Sequence, residues 1–148
     1  MRISKERRKS LDRQFSEIDA AALVVPDGGW LRAVRVALGM STRQLGIRAG
    51  MSGSAIAKIE RSEAAGAAQM ATLRRIAEAL ECDLVYAIVP RTGIEHMVRR
   101  RAHELATSEV HAVNRSMQLE GLHVPADYLA AQIDEYAERL VDSPALWR

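Results

Sequence analysis

Along this 148-residue chain apolar residues recur at helical spacing, with one stretch that breaks the rule. Ile3, Leu11, Phe15 and Ile18 predict a basic amphipathic helix within residues 2–20, and Pro26-Asp27-Gly28-Gly29 then interrupts the chain. Leu31, Val34 and Leu38 share one face of a helix from Trp30 to Leu38, which Gly39 closes. Ser41-Thr42-Arg43-Gln44 has the form of a capping box, in which Ser41 and Gln44 satisfy each other's backbone N–H groups. The helix it opens buries Leu45 and Ile47 and stops at Gly50. Ser52 caps a third helix, Gly53 to Arg61, with Ile56 and Ile59 inward. A fourth, from about Gln69 to Leu80, turns Leu73, Ile76, Ala77 and Leu80 to the core.

The exception is Leu84-Val-Tyr-Ala-Ile-Val89, a β-rich apolar run stopped by Pro90, which reads as a short buried strand. A lone strand leaves its backbone unsatisfied, so this one needs Leu23–Val25 or its own copy across a twofold axis. Thr92-x-x-Glu95 forms a second capping box, opening a long helix to about Glu120. Its apolar stripe is Ile94, Val98, Ala102, Leu105, Val113 and Met117, and Gly121 ends it. A last helix follows Pro125, carries Tyr128, Leu129, Ile133, Tyr136 and Leu140, and stops before Pro144. The expected fold is mostly α, with a repressor-like helix-turn-helix domain, one short strand and a C-terminal helical appendage. Its segments are a basic helix and linker (1–28), a DNA-binding domain with the strand (29–90) and a helical partner-binding region (91–148).

Composition narrows the function classes. Only 4% of residues are aromatic, which favours helices over strands. No apolar run approaches the roughly 20 residues that span a bilayer. No apolar segment follows the basic N-terminus, so a cytoplasmic location is the expectation. The single cysteine, Cys82, excludes an internal disulfide and a cysteine-based zinc site within one chain. Residues 1–61 carry 12 Lys/Arg against 6 Asp/Glu, a net +6, while residues 62–148 carry −4. A basic first half suits phosphate contact, and its N-terminal stretch can add a phosphate-binding arm. The plainer reading is two solvated surfaces of opposite sign.

Two short helices joined by Gly50-Met51-Ser52 have the geometry that lays one helix in a DNA major groove. Met40-Ser-Thr-Arg-Gln-Leu-Gly-Ile-Arg-Ala-Gly-Met-Ser-Gly-Ser-Ala-Ile-Ala-Lys-Ile-Glu-Arg-Ser-Glu63 resembles the xenobiotic-response-element class of helix-turn-helix repressors, over about Trp30 to Leu80. That resemblance implies that Thr42, Arg43, Gln44, Lys58 and Arg61 face DNA, mostly its phosphates. It directs Ser52, Gly53, Ser54 and Ala57 at base edges. Many relatives carry Gln or Arg early in the recognition helix, where this chain has Gly53, Ser54 and Ala55. Short side chains make no bidentate contact to adenine or guanine, so specificity must rest on Arg43, Lys58, contact with thymine methyls and DNA shape.

In the acidic half, Ser116-Met-Gln-Leu-Glu120-Gly121 places Ser116 and Glu120 four apart on one helix face. The pattern resembles the Ser-x-x-x-Glu-Gly inhibitory helix that controls Fic-domain AMP-transferases. The downstream Pro125-Ala-Asp127-Tyr128 helix is similar to that of small Fic antitoxins. Gly28-Gly-Trp-Leu-Arg, Ala64-Ala-Gly and Glu78-Ala-Leu-Glu-Cys-Asp-Leu-Val-Tyr-Ala-Ile-Val-Pro90 extend a likeness to the family called mobile mystery protein A over nearly the full length. Members of that family are associated with a Fic-domain companion. The resemblance implies that Glu120 occupies the toxin arginine that would otherwise hold the ATP γ-phosphate, with Ser116 and Gly121 beside it. A carboxylate there removes the phosphate's best counter-charge.

Other constellations are weaker. His96, His103 and His111 lie on one helix at spacings that drift around it, with no carboxylate pattern to complete a metal site. Arg99-Arg100-Arg101 suits a solvated face as well as DNA or a partner. No phosphate-cradling loop or catalytic triad pattern is present, so neither enzyme activity nor a cofactor is expected. The expected protein is a homodimeric repressor-antitoxin that binds palindromic operator DNA and a Fic-domain toxin and has no membrane contact. The alternatives are a stand-alone regulator whose C-terminal helices dimerise or sense a ligand, and an assembly scaffold without DNA affinity.

Overall fold

The computed structural model describes residues 5–148. Seven α-helices occur among them: α1 (Lys5–Ser16), α2 (Trp30–Ala37), α3 (Thr42–Ala49), α4 (Gly53–Ala64), α5 (Met70–Ala79), α6 (Ile94–Leu119) and α7 (Ala126–Leu140). Short 3₁₀ turns lie at Ala20–Ala22 and Pro144–Trp147. The chain forms two compact units. One is Ala20–Ile88. The other joins the segment through Asp19 to Val89–Arg148. Ile3, of the expected first stripe, lies outside the described residues.

In the first unit α2 to α5 close around Leu45, Ile56 and Ile76, all fully buried, with Leu31, Ala49 and Leu80 beside them. Leu45 and Ala49 stand four apart on α3 and so share its inner face. Ile47 does not: two residues from Leu45 it turns to the opposite side and is 73% exposed, correcting the expected burial. Leu38 is corrected likewise. It is the C-cap of α2, beyond the last helical turn, and is exposed.

Ion pairs and remote caps hold the helices that the apolar core leaves open. Arg35 on α2 and Glu60 on α4 are both buried, with hydrogen bonds of 2.5 Å from Nε and 3.0 Å from Nη2. Arg35 Nη1 also donates to the Met40 carbonyl at 2.7 Å, which ties in the α2–α3 turn. The N-cap of α2 is Gly29, which has no side chain to offer. Glu63 of α4 replaces it, accepting from Trp30 N at 3.0 Å and Leu31 N at 2.9 Å.

The second unit is an α6–α7 hairpin with α1 and the C-terminal 3₁₀ turn packed against α6. Val98, Ala102 and Ala106 meet Ile133, Ala137, Leu140 and Leu146. The small residues on α6 let α7 approach closely. The expected stripe does not continue to the helix end. Val113 and Met117 are exposed and line an open groove with Tyr128 and Leu129.

The second predicted capping box is also corrected. α6 begins at Ile94 with Gly93 as N-cap and receives no local side-chain cap. Asp12 of α1 caps it instead, accepting from Ile94 N at 2.7 Å and Glu95 N at 3.1 Å. Glu95 is drawn away by Arg8, a buried member of the basic N-terminal run, whose Nε lies 2.8 Å from its carboxylate. Arg8 reaches Asp142 as well, at 3.0 Å.

No β-strand forms among the described residues, so the expected strand at Leu84–Val89 is not made. From Asp83 to Arg91 no backbone group pairs with another among these residues, and Leu23–Val25 remains apart. Val85, Tyr86 and Ile88 are 85%, 66% and 88% exposed. A strand requires a second edge, and a single copy supplies none here.

Candidate nucleic-acid interface

The turn between α3 and α4 is set by local chemistry. Ser41 accepts from Gln44 N at 3.2 Å while Gln44 Oε1 accepts from Ser41 N at 2.8 Å, completing the predicted box. Gly50 ends α3 in the left-handed region at φ 67°, a conformation that side chains with a Cβ rarely adopt. Ser52 then starts α4, its Oγ accepting from Ala55 N at 3.1 Å.

Contact between the two helices is closest at two glycines. A Cβ on Gly46 would lie 2.6 Å from the Met51 carbonyl oxygen, and one on Gly53 would lie 3.1 Å from Arg43 N and Cα. The first turns of α3 and α4 therefore press together backbone to backbone. Ala49 is buried just before the turn, but the tightest point of the contact is Gly46. Gly53 acts in the same contact, and this accounts for a residue that has no side chain with which to read a base.

Apart from Gln44, the other predicted DNA-facing residues fall into three groups. Thr42 and Arg43 stand at the joint with Gly53, near Ser52 and Ser54, whose hydroxyls are 3.0 Å apart. Lys58 shares a groove with Ser52, Ala55, Ser62, Gln69 and Thr72. Ala57 and Arg61 line a separate depression with Arg32 of α2. Gln44 is exposed but its amide oxygen is committed to the cap. Arg43, Lys58 and Arg61 are exposed and make no hydrogen bond or ion pair with the described residues. By contrast Arg35 is locked to Glu60. The hydrogen bonds it donates to Glu60 outweigh burial and push its pKa upward, so it stays charged inside the fold. Arg48 is spent on Glu81 and the Ala79 carbonyl, both at 2.8 Å.

Arg32, Gln69 and Thr72 were not singled out from the sequence. They come from helices outside the motif, and only tertiary packing brings them beside Arg61 and Lys58.

A family model described as a helix-turn-helix domain matches residues 28–85, less than half of the chain. No curated protein and no solved structure gives a significant match. Residues 28–85 are thus a helix-turn-helix domain, the class of fold that presents a helix to DNA. No described helix is long and apolar enough to cross a membrane.

The second candidate set lies at the far end of α6. Ser116 is exposed, with its hydroxyl 3.5 Å from the Ala112 carbonyl. Glu120 is the C-cap of α6 and Gly121 follows at φ 81° with open space around it. The Glu120 carboxylate is exposed and makes no ion pair with the described residues. Leu119 (90% exposed) and Leu122 (52% exposed) flank it.

Proposed function

We propose that the protein is a transcriptional repressor that binds operator DNA as a homodimer, acting by binding rather than by catalysis. The observation that carries this reading is the set Arg43 on α3 and Lys58 and Arg61 on α4, exposed and without a hydrogen bond or ion pair among the described residues. Other basic side chains of the same unit, Arg35 and Arg48, are consumed by internal bonds. Cations held on rigid helices and left without internal partners suit phosphate oxygens. Two such domains related by a twofold axis fit the two half-sites of a palindrome. Ser52 and Ser54 are the short polar groups at the tip of α4, so base readout is sparse and DNA shape carries much of the selectivity.

Binding of the full chain to its upstream duplex, measured at several salt concentrations, tests this. Each phosphate contact contributes a slope of about −0.9 in log K against log salt. Lys58→Ala is expected to weaken binding on all duplexes alike and to make the slope shallower by about that much. Affinity that ignores salt sinks the reading.

We further propose that the α6–α7 end silences a Fic-domain AMP-transferase, with Glu120 at its γ-phosphate-binding arginine and Ser116 and Gly121 in the same contact. What favours this is the setting of Glu120. A carboxylate at a helix C-terminus faces the negative end of the helix dipole. No described residue pairs a cation with it, and the apolar residues around it, Leu119 and Leu122, are exposed. A partner's arginine would relieve the charge, and burial of Leu119 and Leu122 would add to it. Glu120→Gly is expected to leave DNA affinity intact and to release AMP-transferase activity in a co-expressed partner; a partner that stays inhibited refutes the assignment.

A further inference from the structure

From Asp83 to Arg91 the backbone donors and acceptors find no backbone partner among the described residues, and the segment carries a run of six apolar residues, Leu84 to Val89. Monomeric proteins guard such segments with charge, proline or cover, because an open apolar edge recruits another chain. Here proline and charge stand only at the ends. The run also complements itself. Antiparallel pairing of two copies about Ala87 sets Val85 against Val89, Tyr86 against Ile88, and Ala87 against its own copy. In the same register Asp83 faces Arg91. Neither of these two charged residues has an ion pair among the described residues. A shift of the axis by one residue loses that charge match.

We propose that Asp83–Arg91 pairs with the same segment of a second copy as an antiparallel two-stranded ribbon, and that this ribbon holds the dimer together. The inference rests on the homodimeric operator-binding reading above and supplies its interface. It gives every second residue's backbone groups a partner, packs Val85 against Val89 and Tyr86 against Ile88 across the pair, and matches charges at both ends. The segment directly follows α5, the last helix of the helix-turn-helix unit, so the twofold axis lies within a few residues of each DNA-binding unit along the chain. The centre of the ribbon is small because Ala87 meets itself there.

Sedimentation of the full-length protein over a concentration series tests this interface, alone and bound to duplex. Val85→Lys with Ile88→Lys alters two side chains that are almost fully exposed, so folding is preserved while dimer dissociation rises by at least about tenfold. Asp83→Arg and Arg91→Asp each weaken the dimer, and combining them restores it. In a Cys82→Ser background, Ala87→Cys is expected to form a disulfide-linked dimer on mild oxidation. Directly opposed residues lie about 4.5–5.5 Å apart at Cα, within disulfide range. A dimer unmoved by the lysine pair, or one in which Ala87→Cys fails to cross-link, overturns the ribbon and leaves the dimeric reading standing. Loss of the dimer in the lysine variant without recovery in the charge swap overturns the register. One chain per duplex, with a monomer at every concentration, overturns both.

Discussion

Glu63 accepts the backbone N–H of Leu31 at 2.9 Å, so that a helix thirty-two residues downstream caps the first turn of α2. The neighbouring Trp30 N–H goes to the other oxygen of the same carboxylate. Both donors are helix-start groups that have no partner within α2. Glu63→Ala strands them and removes a negative charge from the positive end of the helix. A loss of about 1–2 kcal/mol in unfolding free energy is expected. Urea denaturation measures it; a change below a few tenths would show that water replaces the cap.

Arg35 and Glu60 form a buried pair with two hydrogen bonds, and the two residues are not separable in energy. Arg35→Met leaves Glu60 as an unpaired buried charge, and a cost of about 3–5 kcal/mol is expected. Replacing both, Arg35→Met with Glu60→Leu, removes the stranded charge and recovers much of that loss. The test is a double-mutant cycle followed by chemical denaturation. Additive single effects would refute the coupling.

The hydrogen bond from Arg8 holds the Glu95 carboxyl below its ordinary value of 4.5, against the upward push of burial. Folding therefore favours ionised Glu95. Its contribution is complete above the ordinary carboxylate range and is lost as pH falls through that range toward the depressed folded value. Wild-type stability is expected to decline on acidification below about pH 4.5. Glu95→Gln should be less stable at neutral pH and flatter in that acid window. Thermal melts across the window, for both proteins, decide the point, and parallel curves count against it.

Leu45 and Ile47 make the sharpest contrast on α3: one is fully buried and the other 73% exposed. Leu45→Ala is expected to cost about 2–5 kcal/mol through lost transfer energy and the cavity left behind. Ile47→Ser should fall within about 0.5 kcal/mol of wild type. A large loss at Ile47 would mean that its face is covered in solution.

How much of this was legible depended on the reach of each interaction. Gln44 with Ser41, Ser52 with Ala55 N, and the Gly50 stop all act within three or four residues, so sequence spacing displays them. The pattern Thr92-x-x-Glu95 has the same spacing and is not a cap, because Asp12 takes the α6 N–H groups and Arg8 takes Glu95. Glu63 at α2 was hidden for the same reason. Carboxylates arriving from distant helices leave no local trace. Ile47 was misplaced because hydrophobicity was read without the angle that separates it from Leu45. The run Leu84–Val89 had the composition of a strand, but strand formation is a property of two segments, and one copy holds only one of them. Of the residues expected to face DNA, the place of Gln44 in the cap was legible from its spacing to Ser41, while the packing role of Gly53 needed coordinates.

The tie of Asp12 and Arg8 to α6 and Asp142 has a consequence for how the protein is born. The unit containing α1 is interrupted by the whole of Ala20–Ile88, so its two parts are made at different times on the ribosome. The helix-turn-helix segment is contiguous and is ready to fold as soon as α5 has emerged. α1 must wait, with Arg8 and Asp12 unmatched, until α6 and Asp142 have followed it out. The helix-turn-helix unit thus matures first, and the unit that carries Glu120 takes shape only after α6, α7 and Asp142 have followed it out.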